Sequence, residues 1–195
     1  MKQILIDRDR IILDGKLIDN DGLTGISMLT SIYKKYNIGY PKYYKMDPLC
    51  RLGFIGAELL MDKDIDGDRH AIVVVGHSGS IIDDIRYQET ISDKENYFPS
   101  PAVFVYTLAN IVTGEIAIRH KIHGESSSYL INDYTPEVIA TLLFSTFDDS
   151  EIDQVTGGWI EATGENDFSL RFVTVDRKTS RDEVIGFFKN NIINI

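Results

Sequence analysis

The sequence predicts an α/β fold, and three observations carry that expectation. Short apolar runs of strand length alternate with stretches of helical spacing along the chain, the pattern of strands covered by helices rather than of a bundle or a sandwich. The run from His70 to Val75 is continuously apolar after its first residue, as a strand buried on both faces must be. Towards the end, Gln154 to Ala162 and Phe168 to Asp176 read as two strands of a hairpin joined at Thr163-Gly164-Glu165-Asn166.

Taken in chain order, Ile4 to Ile6 is a first strand, and Ile11 to Ile18 holds a short second one around the turn-prone Asp14-Gly15. The next firm element is a helix. Asp47 and Pro48 suit its N-cap and first turn, and Leu49, Leu52, Phe54, Ile55, Leu59 and Leu60 give it a broad apolar stripe. A polar loop, Asp62 to Arg69, leads into the buried strand. Ser80 to Ile91 is expected to be helical, Phe98 to Pro101 opens another helix reaching about Val112, and a separate helical segment covers Glu115 to His120. Glu125 to Ile131 reads as a strand, and Thr135-Pro136-Glu137 starts a helix through Phe144. Ser180 is the expected N-cap of a last helix, with Val184, Ile185, Phe187, Phe188 and Ile192 at helical spacing.

The chain has 195 residues, of which 43% are hydrophobic, enough for one substantial core, so a single domain over residues 1–195 is expected. Its formal net charge of -10 argues against nucleic acid or an anionic membrane surface as partner, since both are polyanions. The start, MKQILIDRDR, turns charged after three apolar residues and lacks a signal-peptide core, which predicts a cytoplasmic protein. Cys50 is the single cysteine, consistent with a reducing compartment.

Three segments, in order, carry a resemblance to β-ketoacyl synthases. Lys45-Met46-Asp47-Pro48-Leu49-Cys50-Arg51-Leu52, followed by Ala57-Glu58, is similar to the start of a synthase helix, with Cys50 replacing a serine. Tyr97 to Glu125 resembles the approach to the nucleophile, and Asp148 to Ala162 resembles an acidic turn leading to a strand that ends in Gly-Gly. The resemblance implies a thiolase-like layered fold of a single, N-terminal-type half, with a mixed sheet covered by helices. It also implies a departure. In those enzymes a strand leads to a cysteine at a helix start, where N–H groups and the helix dipole favour the thiolate; the same walk from Gly124 reaches Asp133. The two catalytic histidines that the family carries in its second half, in His-Gly-Thr-Gly-Thr and Gly-His contexts, are absent, since His70, His77, His120 and His123 all precede Asp133. Without thiolate and histidines the condensation has neither nucleophile nor enolate stabiliser.

The expectation is therefore a ketosynthase-like protein of fatty-acid or polyketide-type (aryl-polyene-like) biosynthesis with no catalytic residues and no metal or cofactor. It would act as homodimer, or as heterodimer with an active ketosynthase, through an interface edge at Glu125 to Ile131. An acyl carrier protein is a further expected partner. For it, Lys34, Lys35, Lys42, Lys45 and Arg51, interleaved with Tyr33, Tyr36, Tyr40, Tyr43 and Tyr44, form a basic stretch on an acidic chain. The alternatives are a residual thioesterase or decarboxylase around Asp133 and His123, a hydrolase at Ser78, or a structural homo-oligomer.

Other motifs have plainer readings. Gly76-His77-Ser78-Gly79-Ser80 imitates a nucleophile elbow, but Ser80 stands where the second glycine belongs, so a structural strand-to-helix turn is favoured. Asp62-Lys63-Asp64-Ile65-Asp66-Gly67 starts like a calcium loop, yet its twelfth position is Val73, and a solvated acidic loop is favoured. His120 and His123 lack a third ligand and read as surface or interface residues. Cys50 reads as a small semi-buried residue, and Asp133 as a helix cap.

Overall fold

The expected C-terminal hairpin forms the middle of the sheet. In the computed structural model, which describes residues 1–191, strands β6 (Gln154–Gly164) and β7 (Asp167–Asp176) pair antiparallel. Around them, β1 (Lys2–Asp7) pairs with β7, and β2 (Arg10–Leu13) and β3 (Lys16–Ile18) extend that side as a hairpin closed by Asp14-Gly15. On the other side β4 (His70–Gly76) and β5 (Ser126–Leu130) continue the sheet in parallel, giving the order β3-β2-β1-β7-β6-β4-β5. The sheet is mixed, and β5 forms one of its edges.

Helices cover both faces. On one face lie α1 (Gly25–Lys35), α2 (Pro48–Leu60) and α5 (Ile111–His120), packed on Ile4, Ile6, Ile72, Val74, Ile160, Leu170 and Phe172. On the other, α6 (Pro136–Ser145) and α7 (Arg181–Asn190) cover Val73, Val75, Val155, Trp159, Val173 and Val175. Each such side chain, fully buried, stabilises the fold by about 1.5–3 kcal/mol. The outer surface of the second layer is polar: Lys189 pairs with Glu137 at 2.6 Å and Arg181 donates to the Thr141 hydroxyl.

Asp47 caps α2 as expected, its Oδ1 accepting from Cys50 N at 3.0 Å. Several expectations need correction. Helix α1 was not anticipated, although Met28, Leu29, Ile32 and Tyr33 carry helical spacing and are buried. The helix expected from Phe98 to Val112 is broken: α4 (Pro101–Phe104) and a 3-10 turn at Val105–Thr107 end at Leu108, and α5 starts afresh and absorbs Glu115 to His120. Ser80 Oγ and Ser128 Oγ donate to the carbonyls of Leu108 and Ala109, which directs those carbonyls away from a continuous helical ladder. Helix α3 (Ile81–Ser92) lies close to expectation. Ser180 is the N-cap of α7 by position but makes no side-chain cap bond, and Ile192 lies outside the described residues. Gly157-Gly158 sits within β6 rather than at its end.

That glycine pair sets the spacing of the sheet. A Cβ at Gly157 would overlap the Val73 carbonyl, and one at Gly158 would press on the Arg171 carbonyl. Gly157→Ala is therefore expected to cost about 2–4 kcal/mol by overpacking. Urea unfolding followed by the emission of Trp159, the one tryptophan, measures it; a loss below about 1 kcal/mol would show that β4 and β6 part without strain.

Candidate functional site

Parallel pairing of β4 with both β5 and β6 brings three carboxyl ends to one end of the sheet, where ligands of α/β proteins gather. The side chains found there are His77, Ser78, Glu161 and Asp133. Glu161, buried in β6, accepts from His77 N at 2.8 Å and from Ser78 N at 3.1 Å. Two successive N–H groups aimed at one carboxylate make a small anion nest, and the chain fills it with its own side chain. Gly79 completes the turn in the left-handed region (φ 56), its α-carbon side close to Ala109 and Leu130.

This is the structural strand-to-helix turn, not an elbow. Helix α3 starts at Ile81 after Ser80, and no hydrogen bond ties the Ser78 hydroxyl to an imidazole among the described residues. His77, which sequence reasoning did not single out, is exposed, and its Nδ1 lies 3.1 Å from the Ile131 carbonyl. As donor there, Nδ1 leaves Nε2 as the basic nitrogen. Asp133 is exposed two residues beyond Ile131. It is not the cap of α6, which is Thr135, and its backbone carbonyl accepts from the Thr135 hydroxyl at 3.2 Å.

His123 does not join Asp133. It precedes β5 while Asp133 follows it, so the strand separates them, and its Nδ1 sits 2.7 Å from Asp68 Oδ1 in the loop before β4. The acid–base pair considered from sequence is thus absent.

The acidic loop is occupied by its own chain: Asp62 pairs with Lys2, Asp66 accepts from Asp68 N, and Asp68 meets His123. Val73 points into the core, and no group of three metal-ligating residues occurs among the described residues. The loop borders a cleft of about 610 Å³ against the C-terminal end of α5. His120 there is mostly buried rather than on the surface. Its Nε2 is 3.4 Å from Glu58 without a hydrogen bond, because Glu58 is taken by Arg119. Burial, with Arg119 beside it, lowers its pKa against the pull of Glu58. His70 is also buried, bonded through Nε2 to Thr156 Oγ1 at 2.9 Å, and burial pushes it down to about 4.

Cys50 is fully buried rather than semi-buried, and burial raises its thiol well above the ordinary value, which suits packing and not attack. The basic stretch is partly dissolved by the fold. Lys35 pairs with Asp19 at 3.0 Å, Lys42 with the buried Glu115 at 2.8 Å, and Arg51 donates to the carbonyls of Met46 and Tyr44. Tyr33 and Tyr43 stack in the core with centroids 4.3 Å apart. Lys34 and Lys45, with Tyr36 and Tyr44, remain exposed.

The edge expected at Glu125 to Ile131 is an edge in the structure. β5 pairs with β4 alone among the described residues, and its Leu130 is 55% exposed; Phe104, Val105 and Leu108, in the segment that precedes α5, are exposed as well. Leu130 and Ala109 both approach Gly79, and Ser128 reaches the Ala109 carbonyl, so the turn at Leu108–Ala109 lies against β5.

This layering is similar to that of ketosynthases of solved structure. An ishigamide ketosynthase/chain length factor superposes with a TM-score of 0.65 at 10% identity, over 92% of this chain and 62% of that one. A ketosynthase (ApeO) in complex with its chain length factor (ApeC) from Xenorhabdus doucetiae gives 0.59 at 13% identity, over 97% and 90%. A type II acyl-carrier protein in complex with its ketosynthase, AntDE:AntF, gives 0.58 at 11%, over 91% and 63%. The chain thus spans less than two thirds of two of these proteins and nearly the whole of the other. No protein-family model and no curated protein matches the sequence. No single helix among the described residues is long and apolar enough to cross a membrane.

The nest carries a measurable consequence. Glu161→Ala leaves two N–H groups unpaired and is expected to cost about 2–3 kcal/mol, Glu161→Gln about half as much, since one acceptor oxygen survives. Equal stability of all three chains in urea would show that water replaces the carboxylate freely.

Proposed function

We propose that this chain is a non-catalytic, single-half ketosynthase-like subunit of a fatty-acid or polyketide-type (aryl-polyene-like) synthase, and that it pairs along β5 with an active ketosynthase. The observation that carries this is the open β5 edge, with exposed Leu130 on it and the turn at Leu108–Ala109 against it; beyond it lies an exposed carboxylate, Asp133, at the position that the sequence resemblance assigns to the nucleophile. An open edge flanked by apolar side chains is a template for another chain. A carboxylate in that place gives an anhydride that water destroys, so it does not hold an acyl group. Two of the similar structures are described as complexes of a ketosynthase with a second protein, which supports a paired state.

The test is co-purification with a full-length ketosynthase encoded beside this chain. The pair is expected to elute as one complex, and Leu108→Glu with Leu130→Glu to weaken it more than tenfold, since charge replaces apolar contact at the centre of the interface. A complex that tolerates both changes, or a stable acyl adduct on this chain alone after exposure to acyl thioesters, would end the proposal.

An acidic carrier protein would dock on the cations the fold leaves free. Lys34→Glu with Lys45→Glu is expected to lower capture of the carrier protein by the complex several-fold at low salt and little at high salt. Capture that is unchanged at low salt would remove that surface from the assignment.

A further inference from the structure

Of the 14 large apolar side chains that stand exposed among the described residues, six fall between Ile85 and Leu108, so the exposure is concentrated in one stretch of chain. That stretch is folded on itself. Phe98 N donates to the Thr90 carbonyl at 3.0 Å, and the rings of Tyr87 and Phe104 meet between α3 and α4 with centroids 5.4 Å apart. Both contacts fall on the second half of α3, so Phe98, 75% exposed, and Phe104, 49% exposed, stand beside the same short length of helix. Four carboxylates, Asp84, Glu89, Asp93 and Glu95, are exposed in the same stretch without an ion pair among the described residues. Against them stands one exposed cation that is equally free, Lys94, since Arg86 is taken by Asp83 and Glu165.

An apolar surface set with acids is matched by one that is apolar and basic. Polyanions and acidic proteins are repelled there. The chain itself presents a surface of the matching kind. Tyr44 packs edge-on against Tyr33 with centroids 5.4 Å apart, which joins the last turn of α1 to the turn at Pro41–Lys45. At that joint Lys34 and Lys45 are exposed without an ion pair among the described residues, and Tyr36 and Tyr44 are 50% and 52% exposed.

We propose that these two surfaces are the halves of one contact: residues 84–98 of one copy of this chain dock on the Lys34, Tyr36, Tyr44 and Lys45 surface of a second copy, head to tail. Glu89 and Glu95 face the two ammonium groups, and Phe98 meets the exposed tyrosines, an aromatic contact with charge pairs at its rim. A like-with-like arrangement is disfavoured, because it sets acids on acids or lysines on lysines. The formal net charge of -10 also repels whole copies from one another, so local complementarity has to supply the attraction. Each copy in such a contact keeps one half of each kind free. The contact therefore repeats, giving rings or open chains rather than stopping at two. It uses neither β5 nor Leu130. One consequence rests on the proposed function: a carrier protein docked on Lys34 and Lys45 competes with the second copy.

Analytical ultracentrifugation of the free, full chain, over concentrations up to about 1 mM, tests this. The wild-type mass is expected to climb past two chains as concentration rises. Lys34→Glu with Lys45→Glu, and separately Glu89→Lys with Glu95→Lys, are each expected to weaken that growth about tenfold. An equal mixture of the two variants is expected to recover it, because the reversed charges again face opposite signs. None of these four side chains makes a hydrogen bond or ion pair among the described residues, so the fold does not depend on them. Phe98→Ser removes the ring without touching charge and is expected to weaken the growth as well. A wild-type mass that never exceeds two chains, variants that grow like the wild type, or a mixture that fails to recover overturns the contact. A halt at two chains leaves the proposed pairing along β5 standing, and failure of the co-purification leaves this contact standing.

Discussion

A charged side chain in a strand covered on both faces must be answered by hydrogen bonds, and Glu161 is answered by the turn that follows β4. This one carboxylate fixes how β4 ends, and therefore where α3 begins and where His77 is held. His77 in turn touches the Ile131 carbonyl, so the end of β5 is located by the same turn. The geometry at the carboxyl ends of three strands thus descends from a single buried acid. A nest filled from within has no place for an incoming phosphate or carboxylate.

The chain between β4 and β5 is the least self-contained part of the molecule. Helix α3 buries one residue, α4 lasts four residues, and the 3-10 turn buries Tyr106 while leaving Val105 in water. Elements with so little apolar contact have low local stability and are held by what surrounds them. Here that is Ser80 and Ser128 on the Leu108 and Ala109 carbonyls. Surfaces that meet partners are commonly drawn from such regions, because a docking partner supplies the burial that the free chain lacks.

The strands were legible because their patterns are local. Continuous hydrophobicity marked β4, and turn residues marked the β6–β7 hairpin. The N-terminal end of α2 was legible for the same reason, since Asp47-Pro48 carries both a cap and a compatible first residue. Helix α1 was missed because its apolar residues lie among lysines and tyrosines that drew attention as a basic stretch, although Tyr33 belongs to the core. The broken helix after Phe98 was illegible in principle: its two restraining serines come from positions 28 and 19 residues away, and sequence spacing holds no trace of that contact. The site divides in the same way. Asp133 follows β5 but does not cap α6, and Glu161 was not singled out within the expected strand Gln154 to Ala162, because only parallel pairing with β4 sets it against the turn. The pairing of Asp133 with His123 failed because a strand separates residues that sequence distance brings close.

That separation bears on what the chain can do. Acid–base chemistry needs groups within hydrogen-bond reach of one reacting atom. At the end of β5 the structure offers one exposed carboxylate and one imidazole tied to a backbone carbonyl. The N–H pair that could stabilise an oxyanion is already committed to Glu161, so a substrate carbonyl placed there would have to displace a buried charge. Displacement would leave that charge unpaired in a closed strand layer, at a cost larger than a neutral carbonyl returns. The polar groups at this end of the sheet are spent on holding the fold, whereas the backbone groups along the outer side of β5 are not. An unspent strand edge offers hydrogen bonds to another chain rather than to a small substrate, and the proposed pairing rests on that asymmetry.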